Sequence, residues 1–522
     1  MFKSLIKKIV PRFVLNFYHK SMALLAAFVY GNPSDKLIVV GVTGTNGKST
    51  TVALIAKTLE ASGAKVGATS TVSFKVADKE WMNNKKMTML GRFQLQKLLK
   101  QMVDAGCTYA VIETSSQGIE QYRHLGVNYD YAVFTNLTPE HIEAHGGFEN
   151  YKRAKGRLVE HLTRKARKQR GEGQRARFDS EARRAKSKGQ KQGQELKIKD
   201  QKNTEVGKII IANVDDEYAD YFLSFAADKK IGFTAPPAID PVGAESYSAP
   251  PIMAEKGAAR VDEMVVAGNV DVTTHGTSFE VGAVKINLQL LGAFNVYNAL
   301  AAVAIALEEG LSMERIKTGL EGVKGVAGRM EVIDEGQPFT VIVDYAPEPA
   351  SMGKLYETVQ KINKSIKQEN TTAPAIYPGG GKGDQPSPRV LTGGGECKRI
   401  IHVLGSCGGG RDKARRPVLG RLAGKNADVV IVTNEDPYDD DPMEIINEVV
   451  AGAIEVGKEL DKNLFKILDR KEAIGKAISL AAAGDLVLIT GKGSEQAMAV
   501  ADGKLIPWDD RRVVRAWLQG QR

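Results

Sequence analysis

The sequence predicts an α/β protein: a mostly parallel sheet with helices on both faces, followed by a second, Rossmann-like α/β domain with its own sheet. Three observations carry this. Lys36–Val42 (KLIVVGV) is a β-branched run that leads straight into a Gly-rich turn and a helical pattern over Thr50–Ser62. Short runs of the same kind recur at Tyr109–Ile112, Tyr131–Phe134 and Ile209–Ile211, alternating with helical stretches. From Thr340 the alternation resumes in TVIVDY, IIHVLG, DVVIVTN and DLVLITG. The 522 residues, 43% hydrophobic and 26% charged, suffice for more than one buried core and exclude a small disulfide-stapled scaffold. Three Cys with no C-x-x-C pair exclude a zinc ribbon and fit a reducing cytoplasm.

Taken in order, residues 1–35 form a leader in which Lys3, Lys7, Lys8, Arg12 and Lys20 are interleaved with Phe2, Leu5, Ile6, Ile9, Val10, Phe13 and Phe17. It reads as two helical pieces broken at Pro11. They either pack on the first domain or lie against anionic lipid at the inner face of a membrane. Residues 36–327 form the first domain, interrupted by Arg164–Glu205, a low-complexity stretch with 15 Lys/Arg against six Asp/Glu. That stretch accounts for nearly all of the net charge of +10 and is too polar to form a core. Its one aromatic, Phe178, gives bases little to stack on, so a nucleic-acid partner is disfavoured. Residues 328–522 form the second domain, with a hinge near Gly325–Gly328 and a Pro/Gly-rich insertion over 363–398.

The strongest chemical signal is Gly41-Val-Thr-Gly44-Thr45-Asn46-Gly47-Lys48-Ser49-Thr50, between a strand and a helix. This is the context of a phosphate-binding loop: glycines admit backbone N–H groups to the phosphates, Lys48 supplies a point charge and Ser49 a hydroxyl for Mg²⁺. Val42 stands where the plain Walker A motif has its first glycine. The motif implies ATP or GTP without naming a reaction.

Five further blocks occur in order: Glu113-Thr-Ser115-Ser116; Thr135-Asn-Leu-Thr-Pro-Glu-His141-Ile-Glu-Ala-His145 with Tyr151-Lys-Arg-Ala-Lys155; Leu291-Gly-Ala-Phe-Asn295-Val-Tyr-Asn298; Gly328-Arg329-Met-Glu331 with Val343-Asp344-Tyr345; and Gly409-Gly-Arg411-Asp412-Lys413 with Gly491-Lys-Gly493-Ser-Glu495. With the loop they resemble the Mur ligases, ATP-dependent acid–amino acid ligases, and within them the MurE branch. The resemblance spans residue 36 to the end apart from the two insertions. It implies an acyl phosphate made from ATP and attacked by an amine, with a muropeptide precursor and an amino acid as partners and ATP and Mg²⁺ as cofactors. It implies catalytic roles for Lys48, His141, Lys155 and Arg329. Nucleotide contacts would come from Gly44–Thr50, Asn295, Asn298, Arg329 and Asp344, the two amides reading the adenine edge. Metal contacts would come from Ser49, Glu113, His141 and Lys155 as a carbamate. Substrate contacts would come from Thr88, Ser115, Ser116, Arg411, Asp436, Tyr438 and Glu495.

Several positions depart from the branch. Gln117, Pro347 and Ser494 each stand where it usually has His. The phosphate loop begins at Gly41, leaving no room before it for the branch's uridine-nucleotide domain, which brings a lipid-linked acceptor into view beside the UDP-linked one. The loop that selects the amino acid reads Glu435-Asp436-Pro437-Tyr438-Asp439-Asp440-Asp441, without the Arg that pairs a diaminopimelate carboxylate. Its acidity favours lysine or ornithine. Folylpolyglutamate-type and nucleic-acid-associated readings remain as alternatives.

Overall fold

The computed structural model describes residues 11–140, 145–164, 168–169, 205–235, 261–273, 275–372, 398–410 and 412–520. His141, Arg411, Cys397 and the interiors of both insertions lie outside the described residues.

An 11-stranded sheet organises the first domain. Next to its middle strand lies β1, Ile38–Thr43, buried at every position. It is flanked in parallel by Tyr109–Glu113 and Tyr131–Phe134. Parallel pairing continues outward to Val66–Thr69 on one side and through Ile209–Asn213 and Lys229–Thr234 to Glu263–Thr273 on the other. Antiparallel hairpins close both edges. The expected parallel sheet is therefore its centre, and the edges are where the alternation with helices stops. A sheet covered on both faces needs continuous apolar strands, which is why these runs read so plainly. Among the described residues the second sheet has six strands, and Glu331–Ile333 pairs antiparallel at one edge. The chain crosses to it at Gly328, whose φ of +61° and contact with the Ser494 backbone exclude any side chain.

The leader helix α1 spans Arg12–Val29, starting after Pro11 as the sequence predicts. Its buried side is a seam of Ala23, Ala26 and Ala27; Ala23 and Ala27 lie against Gly126, and the helix also packs on Arg92–Asp104. Among the described residues no helix is long and apolar enough to cross a membrane.

Both insertions begin or end in structure that the sequence did not mark. Lys168–Gln169 pairs antiparallel with Glu205–Val206, so the basic stretch is clasped at its base. The Lys168 ammonium is buried and donates to Asp130 Oδ2 at 2.6 Å and to the Leu37 and Asn128 carbonyls, while Lys208 takes Asp130 Oδ1 at 3.1 Å. The helix Pro349–Thr372 runs on into the region expected to be loop.

His402, fully buried in the second sheet, joins Tyr356 OH (2.6 Å) to Thr490 Oγ1 (3.0 Å). Burial, then Arg470, pushes its imidazole down to about 3. The unfolded chain therefore binds the extra proton first. The stability this histidine contributes is present above its ordinary value of 6.5 and is lost as pH falls towards 3, by up to ~1.4 kcal/mol per pH unit. Urea unfolding at about pH 7 and pH 5 should show the loss in the wild type and a smaller one in His402→Asn. Equal losses would remove His402 from the account.

Candidate active site

The Gly-rich loop leaves the carboxyl end of β1 and turns into α2, Lys48–Glu60. This is the crevice where open α/β sheets bind ligands. Gly47 caps the helix at φ +81°, and a Cβ there would lie 2.3 Å from Asn298 Oδ1. Only glycine fits. Thr135 and Asn136 hold the loop from the neighbouring strand end: Thr135 Oγ1 donates to the Asn46 carbonyl (2.8 Å) and Asn136 Oδ1 accepts from Asn46 N–H (2.8 Å).

Four predicted residues meet at this loop. Ser49 Oγ donates to Glu113 Oε2 at 2.8 Å, with Glu113 almost fully buried at the end of its strand. Thr71 also donates to Glu113, through N–H (2.7 Å) and Oγ1 (3.0 Å). Lys48 Nζ donates to the Thr45 carbonyl at 2.6 Å, and Lys155 Nζ to the Gly44 carbonyl at 2.5 Å. Burial lowers both lysines, with Glu113 and Glu140 opposing it; Lys48 lowers Lys155 further, well below the ordinary range. Burial and then Glu348 push Glu140 up to about 7, against the two lysines. Ser49 and Glu113 offer the hard oxygen donors that Mg²⁺ prefers. A lysine amine is not such a donor, so Lys155 fits a metal only after it gains a carboxylate. His141 lies outside the described residues. His145, four residues on, has Nε2 3.1 Å from Ser116 Oγ and Nδ1 3.3 Å from Glu120.

Arg329 reaches in from beyond the hinge, lying over the Tyr345 ring and 3.4 Å from Ser49 Oγ. The two Asn and Asp344 line the same cavity, about 550 Å³ in volume, but their polar atoms have protein partners. Asn295 donates to the Leu291 carbonyl (2.8 Å), and Asn298 bonds Asn295 Oδ1 (2.9 Å) and accepts from Thr51 (3.1 Å). Asp344 accepts from the N–H groups of Met330 (2.6 Å) and Ala346 (2.8 Å). These three brace the loop and hinge in this state.

Residues 42–193 and 194–306 match the Mur ligase middle domain, and residues 389–493 the Mur ligase glutamate ligase domain. A UDP-N-acetylmuramyl-tripeptide synthetase of Roseiflexus sp. (strain RS-1) is 37% identical over 95% of this chain and 81% of its own. The chain belongs to the Mur ligase family. A UDP-N-acetylmuramoyl-L-alanyl-D-glutamate–2,6-diaminopimelate ligase of Geobacillus kaustophilus is 32% identical over 97% of this chain and 84% of its own. Among solved structures, Mycobacterium tuberculosis folylpolyglutamate synthase superposes with a TM-score of 0.58 over 90% of this chain and 92% of its own, at 14% identity, which speaks for the fold alone. As a Mur ligase the protein is an ATP-dependent, amide-bond-forming enzyme.

At the far end of the ligase's cavity the second domain contributes an acidic wall. Asp436 accepts from Lys492 Nζ at 3.0 Å on both oxygens and from Ala499 N–H at 2.7 Å. Glu495 also binds Lys492. Burial works against the Lys492 charge, but Glu495 and Asp436 outweigh it and hold its value above the ordinary one. Lys86, from the first domain, reaches across to Asp436, lies 3.6 Å from Glu495 and sits above the Tyr438 ring. The rest of the acidic run has other work: Asp440 lies 3.4 Å from Arg416, and Asp441 caps the helix Pro442–Ile454. The acidity read from sequence thus narrows to Asp436 with the buried Glu435. Thr88 bonds Thr71 (3.0 Å), and Ser115 caps the helix Ser116–Glu120, so both stand on the cavity wall between the two ends. The motifs did not announce Thr71, Lys86 and Glu140 on the cavity wall, nor Lys492 behind Asp436; Lys492 and Glu140 lie inside the quoted blocks, whereas Thr71 and Lys86 lie in none.

Proposed function

We propose that the ligase adds a diamino acid, lysine or ornithine, to the glutamyl carboxylate of a muramoyl dipeptide in the cytoplasm, as a step of peptidoglycan precursor synthesis. The observation that carries this is one continuous cavity with a phosphate loop and its Ser49–Glu113 pair at one end and an ammonium-holding acidic wall at the other.

Joining a carboxylate to an amine in water is uphill. Transfer of the ATP γ-phosphoryl group to the carboxylate, releasing ADP, makes phosphate the leaving group when the amine attacks. Such transfer depends mainly on positioning and charge neutralisation. The loop N–H groups, Lys48 and Arg329 would receive the phosphate charge. Mg²⁺, when bound by Ser49, Glu113 and His141, supplies further neutralisation. Lys155 in its neutral form can add CO₂, losing a proton to become a carbamate, and its depressed value favours that form. The acidic wall would hold the incoming amino acid. Lys86 already places an ammonium there, and its reach from the other domain makes it the exchangeable one, whereas Lys492 is fully buried. Tyr438 offers no charge to a second carboxylate.

The test is phosphate release from Mg-ATP with UDP-N-acetylmuramoyl-L-alanyl-D-glutamate and lysine, ornithine or diaminopimelate, followed by product mass. Mass gain of one lysine or ornithine is the expected result. A diaminopimelate product would overturn the amino acid, and no turnover with any would overturn the UDP-linked acceptor.

A further inference from the structure

The leader helix α1 buries only its alanine seam. At 100° per residue, Phe13, Phe17, Leu24 and Phe28 fall within about 60° of arc. Their exposures are 73, 72, 54 and 76%. Val14, Tyr18, Leu25 and Val29, all exposed, widen the strip to about 160°. Single exposed apolar residues are ordinary, but a contiguous strip along a whole helix marks an interaction surface.

The chemistry of its surroundings selects the occupant. Residues 1–34 carry five Lys/Arg (Lys3, Lys7, Lys8, Arg12 and Lys20) and no Asp or Glu. Lys20 is exposed at the edge of the strip, beside the Tyr122 ring. Aromatic and aliphatic side chains on one face, with Lys20 at its edge and only basic charges in the sequence before Asp35, suit the boundary between headgroups and acyl chains of an anionic bilayer. The helix has 18 residues and does not qualify as a span, so it would lie in the surface and not cross it. A second copy of the chain would bring the same cations against themselves.

We propose that the ligase docks on an anionic lipid surface through the exposed face of α1. The contact does not depend on the amide-forming reading. It reaches the cavity by a short path: α1 packs on α3, Arg92–Asp104, whose first turn follows directly on the cavity-lining segment Met87–Met89.

The experiment is co-sedimentation of the full chain with phosphatidylcholine vesicles, with and without about one-third phosphatidylglycerol, at low and high salt. Phe13→Ser/Phe17→Ser/Phe28→Ser is compared with the wild type, and circular dichroism checks that the variant folds. The expected result is binding that requires phosphatidylglycerol, weakens in salt and falls at least tenfold in the variant. Failure of the wild type to bind anionic vesicles would overturn the proposal. So would equal binding by a folded variant, or a wild-type dimer that the triple substitution dissolves. If the variant fails to fold, Phe13→Ser alone, exposed at the start of the helix, takes its place with a smaller loss expected.

Discussion

A ligase carrying Lys155→Ala is expected to lose roughly 10³-fold or more of its turnover and to regain part of it in millimolar formate or acetate. The amine is almost fully buried, its value is held well down by burial and Lys48, and it points at the loop that would hold phosphate. Removing it deletes the carbamate and leaves a space that a small carboxylate can fill. Lys155→Arg keeps a cation and the reach to Gly44 but cannot take up CO₂, so it should be as inactive as the alanine variant and resist rescue. The comparison separates the carbamate from simple support of the loop. An arginine variant with wild-type turnover would sink the carbamate. An alanine variant that loses ATP affinity and gains nothing from formate would reduce Lys155 to a brace.

The largest effect on stability is expected at Arg470. Its guanidinium is fully buried and forked onto Asp510, with Nε–Oδ1 and Nη2–Oδ2 both at 2.8 Å, and it also donates to the Thr490 carbonyl at 2.7 Å. Arg470→Met would strand a buried carboxylate, costing about 3–5 kcal/mol. Arg470→Met/Asp510→Leu should recover most of that loss, because a matched apolar pair leaves no charge unpaired. Trp508 donates to Asp510 at 2.8 Å, so its fluorescence should follow unfolding of this domain in urea. A double variant no more stable than the single would mean that the pair is worth more than its desolvation. Thr490 leads directly into Gly491 and Lys492, so the single variant should also raise KM for the amino acid before it unfolds.

The nucleotide end of the cavity was legible because its parts are local. A strand, a glycine turn and a helix start fall within a dozen residues, and Glu113 sits at the end of the strand beside β1. The amino-acid end was not, because it is assembled from distant pieces: Lys86 and Asp436 lie 350 positions apart, and no local pattern marks their meeting. One misreading had a signal. Asp441-Pro442 is a capping residue followed by proline at the first helical position, which already claimed that carboxylate for a helix start. In the leader the buried seam proved to be Ala23, Ala26 and Ala27, which the sequence reading did not single out. Which of two apolar sides faced the protein depended on a partner helix, and the sequence alone does not supply that.

The two-stranded clasp at Lys168–Gln169 and Glu205–Val206 sets how this chain can be altered. Its ends are neighbours across a strand pair, and Lys168 moors one of them to Asp130 in the sheet. Whatever is spliced between them enters and leaves at nearly the same point, so each doubling of its length costs only about 0.6 kcal/mol. That makes the site a docking port in the engineering sense. A shortened linker, an epitope or an entire folded reporter should be carried there at little cost, because the paired ends and the Lys168–Asp130 bond fix where the insert enters and leaves.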